Sequence, residues 1–548
     1  KSKITETEVN RAKTRLLKQI ELSFKNSNQI GINLTEAAAG GDWRLFFLSR
    51  DQLEQVTVED VKRVASVYFK SSNRTSGIFH PTKEPNRTII PETPNVTELV
   101  QSYKGKEAIA EGEDFEATHE NIENRVRRES IGQGIKTALL AKETRGNSVT
   151  GSFNFYMGNL ESLNSPVTQT AADMVPSLIM RGSENHSYQD IKDKLDALKA
   201  NVSMSAGEHG SSLNVRFQTD HEHLVELIHF LGEVLTTPTF PEDEFKVLKQ
   251  QQLTGMQGML SDPQSLLFRR LRQRLNPYPA ESIHHIHDLP VLIQRMEALK
   301  LADIQSFYKK HYGAGHARLS IVGDMEEEKV IKSLKGAFGD WHSQTVFKRI
   351  KKQRLPEIKV DELIQTPDKK MAVLAAGASV AMDDTDGRYP ALLLANYVLG
   401  GFAESRLFNR LRQKDGLSYG AYSGFNARSL DQVAALSAMA ICAPENAEKA
   451  QKALHEELNR WLSEPIPAEE LAAAKQSWAT SQKNSLANDP VVAGELASGL
   501  YLGRTMLFDK HINDRIGKLT SKELLEALQS SFEQDGFVKI KAGDLENQ

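Results

Sequence analysis

The sequence predicts an α+β protein made of repeated two-layer units, each a mostly antiparallel sheet with helices packed on one face. Three observations predict this. A pair of helical markers recurs at intervals of about 230 residues. Within one interval, strand-like runs stand at both ends with helix-like runs between them. Two alternating runs inside a complete interval also meet around a glycine-containing turn, as a hairpin would.

At 548 residues the chain is too long for one hydrophobic core, and two to four domains are expected. A net charge of −4, mixed along the chain, leaves no basic stripe for nucleic acid. No apolar run reaches the roughly 20 residues that span a bilayer. The single cysteine, Cys442, cannot form an internal disulfide. No signal peptide or initiator Met stands at Lys1, so an upstream part is expected.

The first marker of each repeat is a helix start with an acidic first turn, which suits the positive end of the helix dipole. It reads "TETEVNRAK" with Glu8 and Lys13, "FPEDEFKVLK" with Glu244 and Lys249, and "IPAEELAAAK" with Glu470 and Lys475. The second marker is a short amphipathic helix: "VTVEDVKRVASVYF", "LKLADIQSFYKKHY" and "KLTSKELLEALQSSF". A strand candidate follows each: "RTSGIFH", "ARLSIVGD" and "GFVKIKAGD".

Four segments result. Residues 1–81 read as the end of a truncated unit. Residues 82–127, rich in Pro, Glu, Asn and Thr, read as a linker. Residues 128–348 and 349–548 read as two complete units. In the first of these, strands are expected at "KTALLAKE" and "SVTGSFNFYM", helices at "TQTAADMVPSLIM" and "SYQDIKDKLDALKA", and a hairpin at "NVSMSAGEHGSSLNVRFQ".

In the last unit, "GGFAESRLFNRLRQKDGLSYGAYSG" passes from a helix-like to a strand-like run, with Arg412 and Tyr419 seven residues apart across the switch. This stretch resembles the glycine-pair, S-R-L-F, L-R, G-L-x-Y motif of the insulinase/pitrilysin family of zinc peptidases, which includes the processing peptidases. "LTSKELLEAL" and "ARLSIVGDM" are similar to that family's closing helix and strand. The resemblance implies a processing-peptidase-type, metallopeptidase-like fold. It also implies four such domains in the complete enzyme, of which this chain would supply the end of the second and the whole of the third and fourth.

In the family, an H-x-x-E-H motif and a downstream Glu hold zinc, and the motif Glu takes a proton from the bound water. This sequence contains no H-x-x-E-H. The equivalent place, before "IMRGSENHS", carries Asp173, Met174, Val175, Pro176 and Ser177. The resemblance therefore implies an inactive copy, with zinc in an absent N-terminal domain and none expected in this chain. A histidine cluster at "ESIHHIHDLP" places His284, His285, His287 and Asp288 together, His284 and His287 at a spacing that can share a helix face. No fourth ligand at structural spacing is evident, and the cluster matches no family zinc position.

By the resemblance, Arg412 and Tyr419 reach across a closed chamber and bind substrate near the scissile bond. Arginine offers a fixed fork of donors to peptide carbonyls. A tyrosine hydroxyl can donate to a carbonyl oxygen as it gains charge. Gly400 and Gly401 are expected to allow a tight turn and close backbone approach, with substrate binding as a second role. Tyr422 is a further substrate-binding candidate.

The function expected is that of the C-terminal half of a zinc endopeptidase acting on unfolded peptides. The alternative is a non-catalytic subunit or peptide-binding scaffold of the same fold. Expected partners are a peptide and either an N-terminal zinc-binding half or a separate catalytic subunit; a homodimer is a further expectation. The expected compartment is the periplasm if bacterial, with cytoplasm or an organelle as the alternative.

Overall fold

A computed structural model describes residues 4–70, 96, 100–101, 111–132 and 134–545. The strand expected at "RTSGIFH" and most of the 82–127 linker lie outside the described residues. Where that stretch is described, its end forms a helix, His119–Arg125.

Eleven strands are described, in two sheets. The first holds β1 (Arg127–Ile131), β2 (Ile135–Ala141), β3 (Ser148–Tyr156), β4 (Asn201–Ala206), β5 (Ser212–Asp220) and β6 (Ala317–Gly323), in the order β1-β2-β6-β3-β5-β4. The second holds β7 (Asp361–Gln365), β8 (Ala372–Val380), β9 (Gly420–Ala427), β10 (Ala434–Cys442) and β11 (Val538–Gly543), in the order β7-β11-β8-β10-β9. Only β2/β6 and β7/β11 pair in parallel. The two sheets share one plan: a parallel pair toward one edge and a hairpin, β4–β5 or β9–β10, at the other.

The central strands are apolar runs rather than alternating ones. β6 and β8 are buried at every residue, as strands covered on both faces must be. Each unit's own helices cover one face. The other face is covered by a helix from the other unit. The helix Pro263–Leu275, from the first complete unit, lays Leu267, Leu271 and Leu275 against Val373, Ala375, Met439 and Ile540 of the second sheet. In return, Asp489–Leu502, from the second unit, lays Val492, Ala493 and Leu496 against Ala138, Leu140 and Val322 of the first. Ile122 of the helix His119–Arg125 joins that same layer. Burying a leucine side chain stabilises by ~1.5–3 kcal/mol, so each exchanged helix couples the folding of one unit to the other.

The repeat is legible atom by atom in its lysines. Lys249 Nζ donates to the carbonyls of Glu297 (2.8 Å) and Leu299 (2.9 Å). Lys475 Nζ donates to those of Gly517 (3.0 Å) and Leu519 (2.6 Å). Lys13 Nζ donates to Val56 O at 3.0 Å. In every copy, an ammonium from the first marker helix satisfies the carbonyl end of the helix preceding the second marker.

The N-terminal block contains four helices, Glu6–Ser23, Ser27–Ala39, Leu45–Gln55 and Val58–Tyr68. It is held to the first complete unit by the ion pairs Arg11–Asp193 (2.8 Å), Lys18–Asp196 (2.5 Å) and Lys199–Glu21 (2.8 Å). Ser27–Ala39 follows the first marker helix in chain order, as the exchanged helices do in the other copies, and it buries no residue.

Candidate functional site

The stretch around Arg412 is not one continuous helix. Two π-helical segments, Tyr397–Gly401 and Phe408–Lys414, flank an irregular passage at 402–405. The cause lies in Gly400, which presses against the backbone of β9. A Cβ at Gly400 would stand 2.3 Å from Ser423 N and 2.7 Å from Tyr422 C. Only glycine permits that approach, and it draws the chain out of helical register. Gly401 is crowded too: a Cβ there would stand 2.7 Å from the Tyr397 ring, which stacks on Phe402.

The second π segment stops at Gly416, whose φ of +63° is the left-handed conformation that closes helices. The amides of Leu417 (2.8 Å) and Ser418 (3.1 Å) both donate back to Leu411 O. The chain then enters β9 through Tyr419, whose N–H donates to Ile441 O at 2.7 Å. Arg412 Nη1 donates to Ser418 O at 3.2 Å, so its guanidinium folds toward the residue preceding Tyr419. Tyr419 itself is 62% exposed and Tyr422 40% exposed, unusual for aromatic residues at a strand. Tyr422 shares the open face of edge strand β9 with Gly424 and Asn426.

The neighbouring arginines have structural partners. Arg406 is buried and makes a two-pronged pair with Glu470 (2.7 and 2.8 Å). Arg410 binds Asp415 and Glu456. In the other complete unit, Arg181 pairs with Glu244 at 2.7 Å, the counterpart of Arg406–Glu470. Beside the glycine pair lies an open groove of about 720 Å³, bordered by Phe402 and Glu404 and lined by Gln476, Thr480, Asn484 and Asn488. Amide and hydroxyl side chains of this kind can hydrogen-bond a peptide backbone.

The family's zinc does not fit Asp173–Ser177. This segment lies in the helix Pro166–Ile179, where Met174, Val175 and Pro176 are packed into the core. No imidazole is available there. Asp173 is reached by solvent, but the surrounding protein desolvates its carboxylate and raises its pKa to about 6.

The stretch carrying His284, His285 and His287 is a turn and an extended segment, not a helix, because Pro279 precedes it and the next helix starts only at Leu289. His284 and His287 therefore share no helix face. Each ring has a partner of its own: His284 Nε2 bonds Lys351 O (2.9 Å), His285 Nδ1 bonds Tyr278 O (2.6 Å), and His287 Nε2 lies 2.9 Å from Arg295 Nη2.

Sequence reasoning missed a second polar site, a cavity of about 340 Å³ bordered by Asp384, Tyr389, Trp478, Glu495, Arg504 and Asp509. Burial pushes Glu495 up to about 7, with the nearby Asp509 adding to the shift, and burial raises Asp509 as well. Its signal in sequence, a lone Glu in an apolar helix, is too common to single out.

Residues 298–477 match the family model described as the peptidase M16 inactive domain, in keeping with the resemblance that the motifs carry. An uncharacterized zinc protease of Streptomyces coelicolor is 23% identical over 361 residues, covering 64% of this chain and 74% of that protein. A probable inactive metalloprotease of Bacillus subtilis, YmfF, is 23% identical over 279 residues, covering 46% of this chain and 62% of that protein. The crystal structure of a peptidase M16 inactive domain from Pseudomonas fluorescens superposes with a TM-score of 0.66 at 21% identity, over 76% of this chain and 97% of that one. No described helix is long and apolar enough to cross a membrane.

Proposed function

We propose that this chain is a non-catalytic, peptide-binding wall of a zinc endopeptidase of the M16 type, with zinc and general base supplied by another domain or subunit. The observation that carries this reading is the exposed Tyr419 phenol at the open end of β9, with the Arg412 guanidinium held on the carbonyl of the preceding residue, Ser418. The bond from Tyr419 N–H to Ile441 O anchors the tyrosine's backbone, and Arg412 uses one guanidinium donor on Ser418 O, which leaves the phenol and the other guanidinium donors to a substrate carbonyl. The amide-lined groove beside Gly400 and Gly401 offers further contacts to an extended peptide.

The test is peptide binding by the chain itself. A fluorescently labelled unfolded peptide should bind the wild type, and the Arg412→Ala/Tyr419→Phe double variant should bind it about tenfold more weakly, the loss expected for one or two hydrogen bonds to a substrate. Equal affinity would remove the pair from substrate binding.

A second reading, a scaffold with no part in catalysis, is favoured by the loss of every imidazole at Asp173–Ser177 and by the name of the Bacillus relative. It predicts that peptide turnover by any catalytic partner is indifferent to Tyr419.

A further inference from the structure

We propose that Glu208, His209 and His284 form a zinc-class transition-metal site at the junction of the two complete units, distinct from the family's zinc position. His284 comes from the histidine stretch that lacked a ligand set in sequence. Folding brings to it two residues from the β4–β5 hairpin, about 75 positions away.

The donor atoms converge. His209 Nε2 lies 2.8 Å from His284 Nδ1 and 3.6 Å from Glu208 Oε1, and all three ligand atoms lie within 4.8 Å of one another. Bonds of about 2.0–2.1 Å in a tetrahedral shell place donors about 3.3 Å apart, so the two rings part slightly and the exposed Glu208 carboxylate swings in to complete the site.

The imidazoles are pre-set for a metal. Lys351 O can only accept, so His284 Nε2 carries the ring hydrogen and donates to it. Its Nδ1 lone pair therefore faces His209 Nε2. In the metal-free protein His209 Nε2–H donates to that lone pair. On binding, the metal takes the place of this hydrogen, and the His209 ring keeps one proton, on Nδ1. A backbone carbonyl orienting a ligating histidine from its far nitrogen is the usual support of such sites.

The backbone is also shaped for the task. His209 holds φ +58° between Gly207 and Gly210, a left-handed conformation that a residue with a Cβ adopts only under constraint. The strain aims the ring at His284 instead of leaving it on the hairpin tip. The fourth position opens on a cavity of about 400 Å³ bordered by Tyr156, Ser212, Arg349, Arg428, Asp431 and Tyr501, where a water can enter.

Glu208 couples the site to both units. Its Oε1 takes Lys352 Nζ (2.8 Å) and its Oε2 takes Arg428 Nη2 (2.6 Å) from the second unit. An ion displaces Lys352 from Oε1 while Arg428 keeps Oε2, so one carboxylate then bridges metal and the opposite unit. Competition with this ammonium excludes hard cations such as Mg²⁺ and favours ions that seek imidazole.

The experiment is zinc titration of the chelator-treated protein against a chromophoric competitor. The wild type should bind one zinc per chain with micromolar or tighter affinity. His284→Ala and His209→Ala should weaken it at least tenfold, while His285→Ala, whose ring bonds Tyr278 O, should leave it unchanged. Lys352→Met should tighten binding about tenfold by removing the competing charge, and this variant retains every proposed ligand. Cobalt(II) loading supplies a check independent of folding losses, as the wild type and Lys352→Met should both show visible bands of a four-coordinate nitrogen–oxygen site. Absence of saturable binding, binding indifferent to both His209 and His284, or a Lys352→Met variant that binds more weakly would each overturn the site.

Discussion

Lys475 and Leu519 meet through a 2.6 Å bond from ammonium to backbone carbonyl, and Lys249 meets Leu299 in the same way at 2.9 Å, 226 residues earlier in the chain. The two bonds occupy the same place in successive units. They show that the recurring lysine is a structural clasp, tying the long marker helix to the carbonyl end of a later one.

Lys475→Met should therefore lower stability by about 1.5–3 kcal/mol, the range for a hydrogen bond from a charged group. Denaturant unfolding followed by tryptophan fluorescence checks it, through Trp461 and Trp478 in the same unit. A midpoint unchanged from wild type would show that water replaces the clasp at no cost.

Gly400 and Gly424 form a matched pair for the glycine argument. Gly400→Ala forces a Cβ into the backbone of Ser423 and should cost about 1–3 kcal/mol. Gly424→Ala, whose nearest neighbour would be Ser437 Oγ at 4.0 Å, should change stability by less than about 0.5 kcal/mol. Thermal unfolding of the two variants side by side reads the difference. Equal losses would mean that β9 dislikes any side chain there.

The exchanged helices make a prediction about location. Leu271 belongs in sequence to the first complete unit but packs on the sheet of the second. Leu271→Ala should cost about 2–5 kcal/mol. Hydrogen exchange should show the lost protection in β8 and β11. Loss confined to β2, β3 and β6 would contradict the exchange.

Glu495 predicts a pH dependence. Its folded pKa, about 7, lies above the ordinary carboxylate value because burial opposes its charge. The folded state thus holds the proton more tightly than the unfolded state, and this contribution to stability is present below about pH 4.5 and lost as pH rises through 7. Glu495→Gln should stabilise the protein at pH 8 and lose that advantage at pH 4. The same difference at both pH values would show that Glu495 is not the titrating group.

Much of this fold was legible in the sequence. The strands at β2, β3 and β6 were largely apolar runs, β11 alternated Val538 and Ile540 with lysines, and the β4–β5 hairpin was marked by alternation around Gly207 and Gly210. The polar edge strands β1 ("RRESI") and β7 ("DELIQ") were not, because neither carries an apolar period. Nor could the exchange of helices be read. Pro263–Leu275 has an ordinary amphipathic pattern, and which sheet it covers is a matter of tertiary packing. At the candidate site, the switch from helix-like to strand-like residues between Arg412 and Tyr419 was visible in the motif. It gave no sign of the π segments, since the close approach of Gly400 to Ser423 joins positions that only the folded sheet brings together.

The most direct test of the central claim is the turnover of an unfolded peptide by this chain assembled with its zinc-bearing domain or subunit, comparing wild type with Tyr419→Phe. In Tyr419→Phe, kcat should fall about a hundredfold, the loss expected when a transition-state donor is removed, while KM and zinc content stay near wild type. Unchanged kcat would contradict it and leave the chain as a scaffold.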